Sequence, residues 1–250
     1  MGTKHKIEYL LFYFFVSLFK IIGLEKTRRL ASVLARVLFY LIRVRRNVVI
    51  SNISKAFTEK KADEIRKIAF ENYRNTLITF FEMMVCSSLS NNEVLKQMEH
   101  ESFIKLNEEI ANHKSLLLVT AHLGGWEFSI VSLPQIIKRI FNVLVREQSN
   151  PGVTEWLRKS RSSSGCNIIP ANISIRHLYE ALKREEIVII AGDQRGDAHG
   201  PRFSFFNTST ALYTGLANIS VKTNSPIVAY CFVRLPDNKY KVDFKRIDLE

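Results

Sequence analysis

The chain opens with an apolar segment whose length and flanks indicate contact with a membrane. Residues 7–22 read IEYLLFYFFVSLFKII. The uninterrupted apolar run, residues 9–19, is shorter than the roughly 20 residues that a spanning helix needs. Because a strongly basic stretch follows, the segment predicts either a membrane anchor or an interfacial helix with its cations on anionic lipid. Two helices of a soluble core are the alternative.

Beyond residue 115 the pattern changes to short apolar runs separated by amphipathic stretches. The predicted strands are 115–121, 141–147, 167–169, 186–192, 226–233 and 239–247. The predicted helices between them lie near 126–139, 152–162, 173–184 and 210–223, and an earlier helix is predicted over 53–84. Continuous β-branched runs alternating with helices predict an α/β fold: a mixed, mostly parallel sheet covered by helices. The turn LPDN, 235–238, predicts that the last two strands form an antiparallel hairpin.

These patterns divide the chain into two parts. We predict an N-terminal membrane-associating segment over residues 1–50, with a basic flank, and an α/β domain over residues 51–250. If the first segment spans the membrane, the basic residues on its carboxyl side place the α/β domain in the cytoplasm. Because the chain stops at IDLE, directly after a strand, we expect that a carboxyl-terminal portion is missing.

Charge narrows the range of partners. The 250 residues carry 36 lysines and arginines against 24 acidic residues, a formal net charge of +12. Such a surplus attracts polyanions: nucleic acid, anionic lipid, phosphorylated metabolites or an acidic carrier protein. No RNP, zinc-finger or helix-turn-helix pattern is present, so we do not expect nucleic acid. The three cysteines form no CxxC pair, which argues against a structural zinc site and favours reduced thiols in the cytosol.

The clearest chemical signal is the stretch TAHLGGWEF, residues 120–128, directly after an apolar run. A glycine-containing turn between strand and helix brings His122 to the carboxyl end of the strand and Glu127 to the first turn of the helix, where open α/β sheets bind ligands. A carboxylate that reaches the imidazole would fix its tautomer, so the pair could deprotonate a substrate hydroxyl. Two alternatives remain open: a purely structural turn and helix start, and a metal site completed by His199 or Asp193.

Several further stretches occur in an order that carries a family resemblance. HLGGWE (122–127) is accompanied by RRNVVISNISKAF (45–57), LVREQSNPGVTEWLRKSRSSSGCNIIP (144–170), IRHLYEALKREEIVIIAGDQRG (175–196) and PRFSFFNTSTALYTGLANISVKTNSPIVAY (201–230). Together they resemble the late acyltransferases of bacterial lipid A biosynthesis, which transfer lauroyl or myristoyl chains and share an H-x4-D/E motif with glycerolipid acyltransferases. Departures from the family pattern, such as EQSNP after the arginine, bear on the acceptor more than on the reaction.

The resemblance implies acyl transfer and assigns catalytic roles. His122 would act as the general base that takes a proton from a hydroxyl of a glycolipid acceptor. Glu127 would orient His122 and pair with its charge. The acceptor oxygen would then attack an acyl thioester, so no metal or organic cofactor is expected.

The resemblance also implies a set of substrate-binding residues. Arg161 would bind a phosphate of the acceptor, and the alternative for Arg161 is a solvated helix face. Asp193 and Gln194 would shape the wall of the active site, and Arg146, at the end of a strand, is a weaker candidate for the same cleft.

The implied partners are an acyl carrier protein as donor, a phosphorylated glycolipid (a lipid A precursor) as acceptor, and a membrane. We therefore expect a protein of the bacterial inner membrane whose catalytic domain faces the cytoplasm. The alternatives are the same chemistry on a lysophospholipid, an aminolipid or another glycolipid, or with acyl-CoA as donor. A non-enzymatic basic membrane-binding protein and a metal-dependent hydrolase built on His122, Glu127 and His199 are the rivals from other classes.

Overall fold

The computed structural model describes residues 2–171, 175–193, 196, 199–212 and 214–247. Six strands form one mixed sheet in the order β3-β2-β4-β1-β7-β8, and the first five of these are parallel. The strands are β1 (Leu116–Thr120), β2 (Phe141–Val145), β3 (Cys166–Pro170), β4 (Ile187–Ala191), β7 (Ile227–Arg234) and β8 (Tyr240–Ile247). The last strand pairs with β7 antiparallel, as the LPDN turn predicts. The predicted α/β class and all six predicted strands are confirmed.

Helices cover both faces of this sheet. The central strands read LLLVT and IVIIA and are almost completely buried, because a parallel sheet buried on two sides needs continuous apolar strands. Two apolar cores result, one on each face. The helices packed around them are α5 (Asn91–Lys96), α6 (His100–Ala111), α7 (Trp126–Ile136), α8 (Pro151–Ser162), α9 (Arg176–Lys183) and α10 (Gly215–Thr223).

Two elements differ from the sequence prediction. The predicted helix 53–84 is two helices, α3 (Arg46–Ala56) and α4 (Ala62–Cys86), because Phe57 leaves the helical conformation and Lys61 caps a new helix together with Glu64. The start of the predicted helix 210–223 belongs instead to a small antiparallel hairpin, β5 (Arg202–Phe205) with β6 (Thr208–Ala211).

The N-terminal helices pack on the α/β region. They are α1 (Thr3–Ile22) and α2 (Leu24–Arg36), and α2 continues into a π-helical turn over Val37–Ile42. The ring of Phe12 meets Trp156 of α8 edge-on at 5.1 Å, and Phe19 stacks on Phe81 of α4 at 4.7 Å. The side-chain amide of Asn150, the residue that caps α8, donates to the carbonyl of His5. Segment 1–50 is therefore held against the rest of the protein by specific contacts.

No helix within the described ranges is both long enough and apolar enough to cross a membrane. The outer face of α1 is nevertheless apolar. Ile7, Leu11, Phe14 and Ile21 follow one another at helical spacing and are 55%, 57%, 60% and 83% exposed. We call these four residues the α1 stripe.

A buried carboxylate ties the N-terminal helices to the sheet. Glu82 of α4 is 1% exposed and accepts hydrogen bonds from Arg28 of α2 (2.5 Å), from both terminal nitrogens of Arg234 at the end of β7 (2.6 and 2.8 Å), and from the hydroxyl of Tyr240 of β8 (2.6 Å). Burial alone would raise the pKa of Glu82, but the hydrogen bonds and charges of Arg234 and Arg28 hold it below its usual value. The carboxylate is therefore ionised at neutral pH and joins four elements at one point.

Replacing this carboxylate is expected to destabilise the fold. Glu82→Gln leaves the buried Arg234 without its counter-charge and leaves Arg28 with its ion pair to the exposed Glu25, so the free energy of unfolding should fall by about 3–5 kcal/mol. Urea denaturation followed by circular dichroism measures this loss. Glu101→Gln is the matched control, because Glu101 lies on the exposed face of α6 and its ion pair with Lys105 is exposed too. Equal stability of Glu82→Gln and the wild type would contradict the structural role.

Acid should remove the stabilisation that the Glu82 carboxylate provides. Because the folded pKa of Glu82 lies below its unfolded value, its contribution is present above the unfolded pKa and is lost as the pH falls through the folded pKa. The difference in stability between wild type and Glu82→Gln should therefore shrink in acid.

Candidate functional site

His122 lies in the turn that joins β1 to α7. β1 ends at Thr120 and α7 begins at Trp126, so five residues make the connection. Gly124 adopts φ = 59°, and a Cβ there would collide with the carbonyl oxygen of Phe232. Only glycine satisfies both the left-handed conformation and this close approach. The turn is thus pressed against β7, and it presents His122 at the carboxyl edge of the sheet.

The partner of His122 is Asp193, two residues beyond the end of β4. One carboxylate oxygen of Asp193 lies 2.8 Å from Nδ1 of His122, and the other accepts the backbone N–H of His122 at 2.8 Å. The ring of Trp126 packs against the imidazole with a centroid distance of 4.7 Å. The imidazole is 37% exposed. When Nδ1–H donates to Asp193, Nε2 carries a lone pair and is free to accept a proton.

The predicted pairing of His122 with Glu127 is wrong. Glu127, the second residue of α7, is 1% exposed, and its two oxygens accept hydrogen bonds from Nε and Nη2 of Arg161, each at 2.9 Å. The predicted turn and helix start are present, but at this position of α7 the side chain faces the protein interior. There α8 supplies a planar guanidinium that fits a carboxylate in two-point contact.

The same ion pair changes the interpretation of Arg161. This residue is only 9% exposed and binds a protein carboxylate, so it is not on a solvated helix face. Burial opposes the charge of its guanidinium, but Glu127 more than compensates and raises the pKa of Arg161. Its predicted contact with an acceptor phosphate stays a prediction, and the geometry gives Arg161 the role of holding α8 against α7.

Strand register explains why Asp193 meets His122. β1 and β4 are parallel neighbours, and Thr120 lies opposite Ala191. The residues two positions beyond each strand therefore emerge side by side. Asp193 stands out in the sequence because it closely follows an apolar run. Its pairing with His122, however, can be deduced only once the strand order is known.

Two cavities meet at His122. One, which we call the β2-side cleft, has a volume of about 610 Å³ and is lined by His122, Trp126, Arg146, Gln148 and the edge of Arg161. The other, the α4-side cavity, has a volume of about 340 Å³. It lies between α4 and the end of β7. His122 and Trp126 line both.

Arg146 is the exposed cation of the β2-side cleft. It follows the end of β2, and its side chain has no hydrogen-bond or ion-pair partner among the described residues. A guanidinium group without a protein partner can form two-point contacts with an anion. The structure thus places Arg146, the weaker candidate of the sequence, in the more accessible position.

Two remaining expectations concern metal and Gln194. Within the described residues, no group of three or more His, Cys, Asp or Glu side chains could hold a metal ion. Gln194 lies outside the described residues.

Comparison with known proteins gives one positive result. The family model of the bacterial lipid A biosynthesis acyltransferases matches residues 3–246, nearly the whole chain. A search of curated proteins found no match.

The Glu127–Arg161 pair should be a structural unit. Glu127→Gln leaves a buried arginine without its partner, and we expect the free energy of unfolding to fall by about 3–5 kcal/mol. The double variant Glu127→Leu with Arg161→Met should recover most of this loss, because neither charge is then buried alone. Urea denaturation of Glu127→Leu, Arg161→Met and the double variant measures the coupling between the two side chains.

The exposed pair Glu155–Arg158 on α8 supplies the control, and Glu155→Gln should change stability little. Additive losses in the double variant would contradict the assignment.

Proposed function

Given that the chain belongs to the bacterial lipid A biosynthesis acyltransferase family, we propose that it moves a fatty acyl chain from a thioester donor to a hydroxyl of a phosphorylated glycolipid, with His122 as general base. The observation that carries this mechanism is the His122–Asp193 pair at the meeting point of two cavities. The family is an acyltransferase family, so the protein is an enzyme.

The proposed reaction balances without a cofactor. Nε2 of His122 takes the proton of the acceptor hydroxyl while the hydroxyl oxygen attacks the carbonyl carbon of the thioester. The carbonyl oxygen of the thioester becomes an oxyanion. The C–S bond then breaks, the carbonyl re-forms, and the leaving thiolate takes the proton from the imidazolium. Asp193 stabilises the imidazolium and fixes its tautomer, the part that an aspartate plays beside a catalytic histidine in other acyl transfers.

Arg146 is the residue we assign to the acceptor phosphate. Its unpaired guanidinium lies in the same cleft as the imidazole, and a bidentate contact would position the sugar for attack on the thioester. We prefer Arg146 to Arg161 for this contact, because Nε and Nη2 of Arg161 donate to Glu127.

The donor we propose is an acyl group on an acyl carrier protein. Carrier proteins are acidic, and the net charge of +12 favours association with an acidic partner. An acyl-CoA has the same thioester chemistry, and a lysophospholipid, an aminolipid or another glycolipid is the alternative acceptor.

We further propose that the protein lies at the cytoplasmic face of the bacterial inner membrane through the α1 stripe. The opposite face of α1 packs on α4 and α8, so the helix lies along the protein with its apolar face outward. Such a helix binds in the interfacial plane of a bilayer. Tyr40, Leu41 and Ile42 in the π-helical turn are exposed as well, and Arg43, which follows them, would add a cation for anionic headgroups.

The catalytic pair can be tested with substitutions that preserve the fold. His122→Ala should lower the turnover number by about 10²–10⁴-fold, since it removes the general base. Asp193→Asn keeps the shape but loses the charge that stabilises the imidazolium, so it should also lower turnover. Mass spectrometry of products from acyl carrier protein thioesters and a panel of lipid acceptors measures both effects and identifies the acceptor.

A second histidine–carboxylate pair provides the control. His113 lies 2.9 Å from Glu109, before the start of β1, at the opposite end of that strand from His122. His113→Ala should leave turnover unchanged. Wild-type turnover of a folded His122→Ala variant would refute the proposed mechanism.

Membrane contact is tested by weakening the α1 stripe. The double variant Leu11→Ser with Phe14→Ser removes two exposed side chains that each contribute about 1.5–3 kcal/mol when buried, so binding to phosphatidylglycerol vesicles should fall at least tenfold. Co-sedimentation measures it. Val221→Ser, at an equally exposed site on α10, should bind like the wild type, and unchanged binding of the double variant would exclude the stripe as the contact.

A further inference from the structure

We propose that the phosphopantetheine arm of the acyl donor lies in a channel between α3 and α4 that ends at His122, an inference that rests on the proposed function. The channel consists of the α4-side cavity and a neighbouring cavity of about 400 Å³ between the two helices. Asn72, Thr76 and Phe80 of α4 line both cavities. The space therefore continues from the imidazole along α4 to α3.

The lining of the channel matches the chemistry of pantetheine. Asn72 and Asn75 of α4 and Asn52 of α3 face the two cavities, and their side-chain amides have no hydrogen-bond partner among the described residues. Apolar side chains, Val48 and Leu77 among them, lie between these amides. A pantetheine arm alternates amide groups with methylene and dimethyl groups, so both kinds of wall would be used. Asn52 and Asn72 are exposed and Asn75 is half-buried, so a purely aliphatic chain that covered them would displace their water without replacing its hydrogen bonds.

A cation lies at the α3 end of the channel. Arg45 lines the cavity there, and its side chain has no ion-pair or hydrogen-bond partner within the described ranges. Phosphopantetheine carries a phosphate at the end opposite its thiol, and an arginine fork is suited to that group. With the phosphate at Arg45, the thiol end points along α4 toward His122.

The channel and the β2-side cleft reach the imidazole from different sides, since they share His122 and Trp126 but have different further walls. This arrangement lets the thioester carbon and the acceptor hydroxyl meet at Nε2 without competing for one space. The donor would occupy the channel and the acceptor the β2-side cleft.

A native cysteine offers a direct binding assay. Cys231 lines the α4-side cavity and is half-buried, whereas Cys86 and Cys166 are buried. Burial raises the pKa of all three thiols, so labelling with N-ethylmaleimide is run at alkaline pH and followed by mass spectrometry. Cys231→Ala gives the background.

Dodecanoyl-phosphopantetheine at tenfold excess over its dissociation constant should slow labelling of Cys231 by about tenfold. Glucosamine 1-phosphate, which is meant for the other cleft, should not slow it. Thr76→Trp fills the junction of the two cavities and should abolish the protection, while Lys67→Trp, an equally bulky change on an exposed position of α4 outside the channel, should retain it.

The proposal would be overturned if dodecanoyl-phosphopantetheine failed to protect Cys231 in the wild type, or if it protected Cys231 fully in Thr76→Trp. Protection by dodecanoyl-CoA or by a dodecanoyl carrier protein identifies the natural source of the arm, and protection by neither would also overturn it. Because labelling needs no turnover, a protein that shows protection but no acyl transfer would refute the proposed reaction and leave the channel assigned.

Kinetics provide a second readout. Thr76→Trp should raise the KM for the donor at least tenfold with little change in the KM for the acceptor, and Arg146→Ala should show the reverse pattern. A rise in the acceptor KM alone for Thr76→Trp would contradict the assignment of the channel to the donor.

Discussion

The parallel pairing of β1 with β4 determines the chemistry at the edge of the sheet. Because Thr120 lies opposite Ala191, the segments that follow β1 and β4 leave the sheet side by side. His122 and Asp193 therefore come within hydrogen-bonding distance. Both faces of this sheet are buried, so a shift of register by one residue would move each side chain of a strand into the core on the other face. The close packing of the two cores therefore favours the observed register. The position of the imidazole is thus a consequence of burying LLLVT against IVIIA, together with the turn at Gly124 that lies against Phe232 of β7.

Two buried carboxylates hold the helices and strands around the imidazole in place. Glu127 holds α8 against α7 through Arg161, and Glu82 joins α2, β7 and β8 through Arg28, Arg234 and Tyr240. The second cluster reaches the turn that carries His122, because Thr79, one helical turn before Glu82, contacts Arg234 and donates to the carbonyl of Gly124. Breaking either cluster leaves charge without a partner in the interior, which costs far more than an exposed ion pair contributes. The acidic residue of the HLGGWE stretch therefore belongs to the frame of the site.

Much of the fold can be predicted from local sequence patterns, and the features that cannot be predicted in this way involve particular residues. The continuous apolar runs predict all six strands of the main sheet, and LPDN predicts the final hairpin. The hairpin β5–β6 has no clear sequence signal, because its strands are short and exposed and its turn, at Phe206 and Asn207, uses positive φ at residues other than glycine. The position of His122 can be predicted from the end of a strand. Its partner cannot be predicted in this way, because Glu127 is near in sequence whereas Asp193 is brought near only by a strand order that local patterns do not contain.

Helix α4 connects the frame of the sheet, the proposed channel and the N-terminal helices. Its residues Glu82 and Thr79 bind the sheet and the turn at Gly124, and Asn72, Thr76 and Phe80 line the channel to α3. Its contacts with α1 and α2 bring the apolar α1 stripe into the same assembly. A donor arm lying along α4 and an acceptor drawn from a bilayer beneath α1 would be positioned by one set of packed helices. The 115 residues that precede the first strand would thus supply one wall of the proposed donor channel as well as the proposed contact with a membrane.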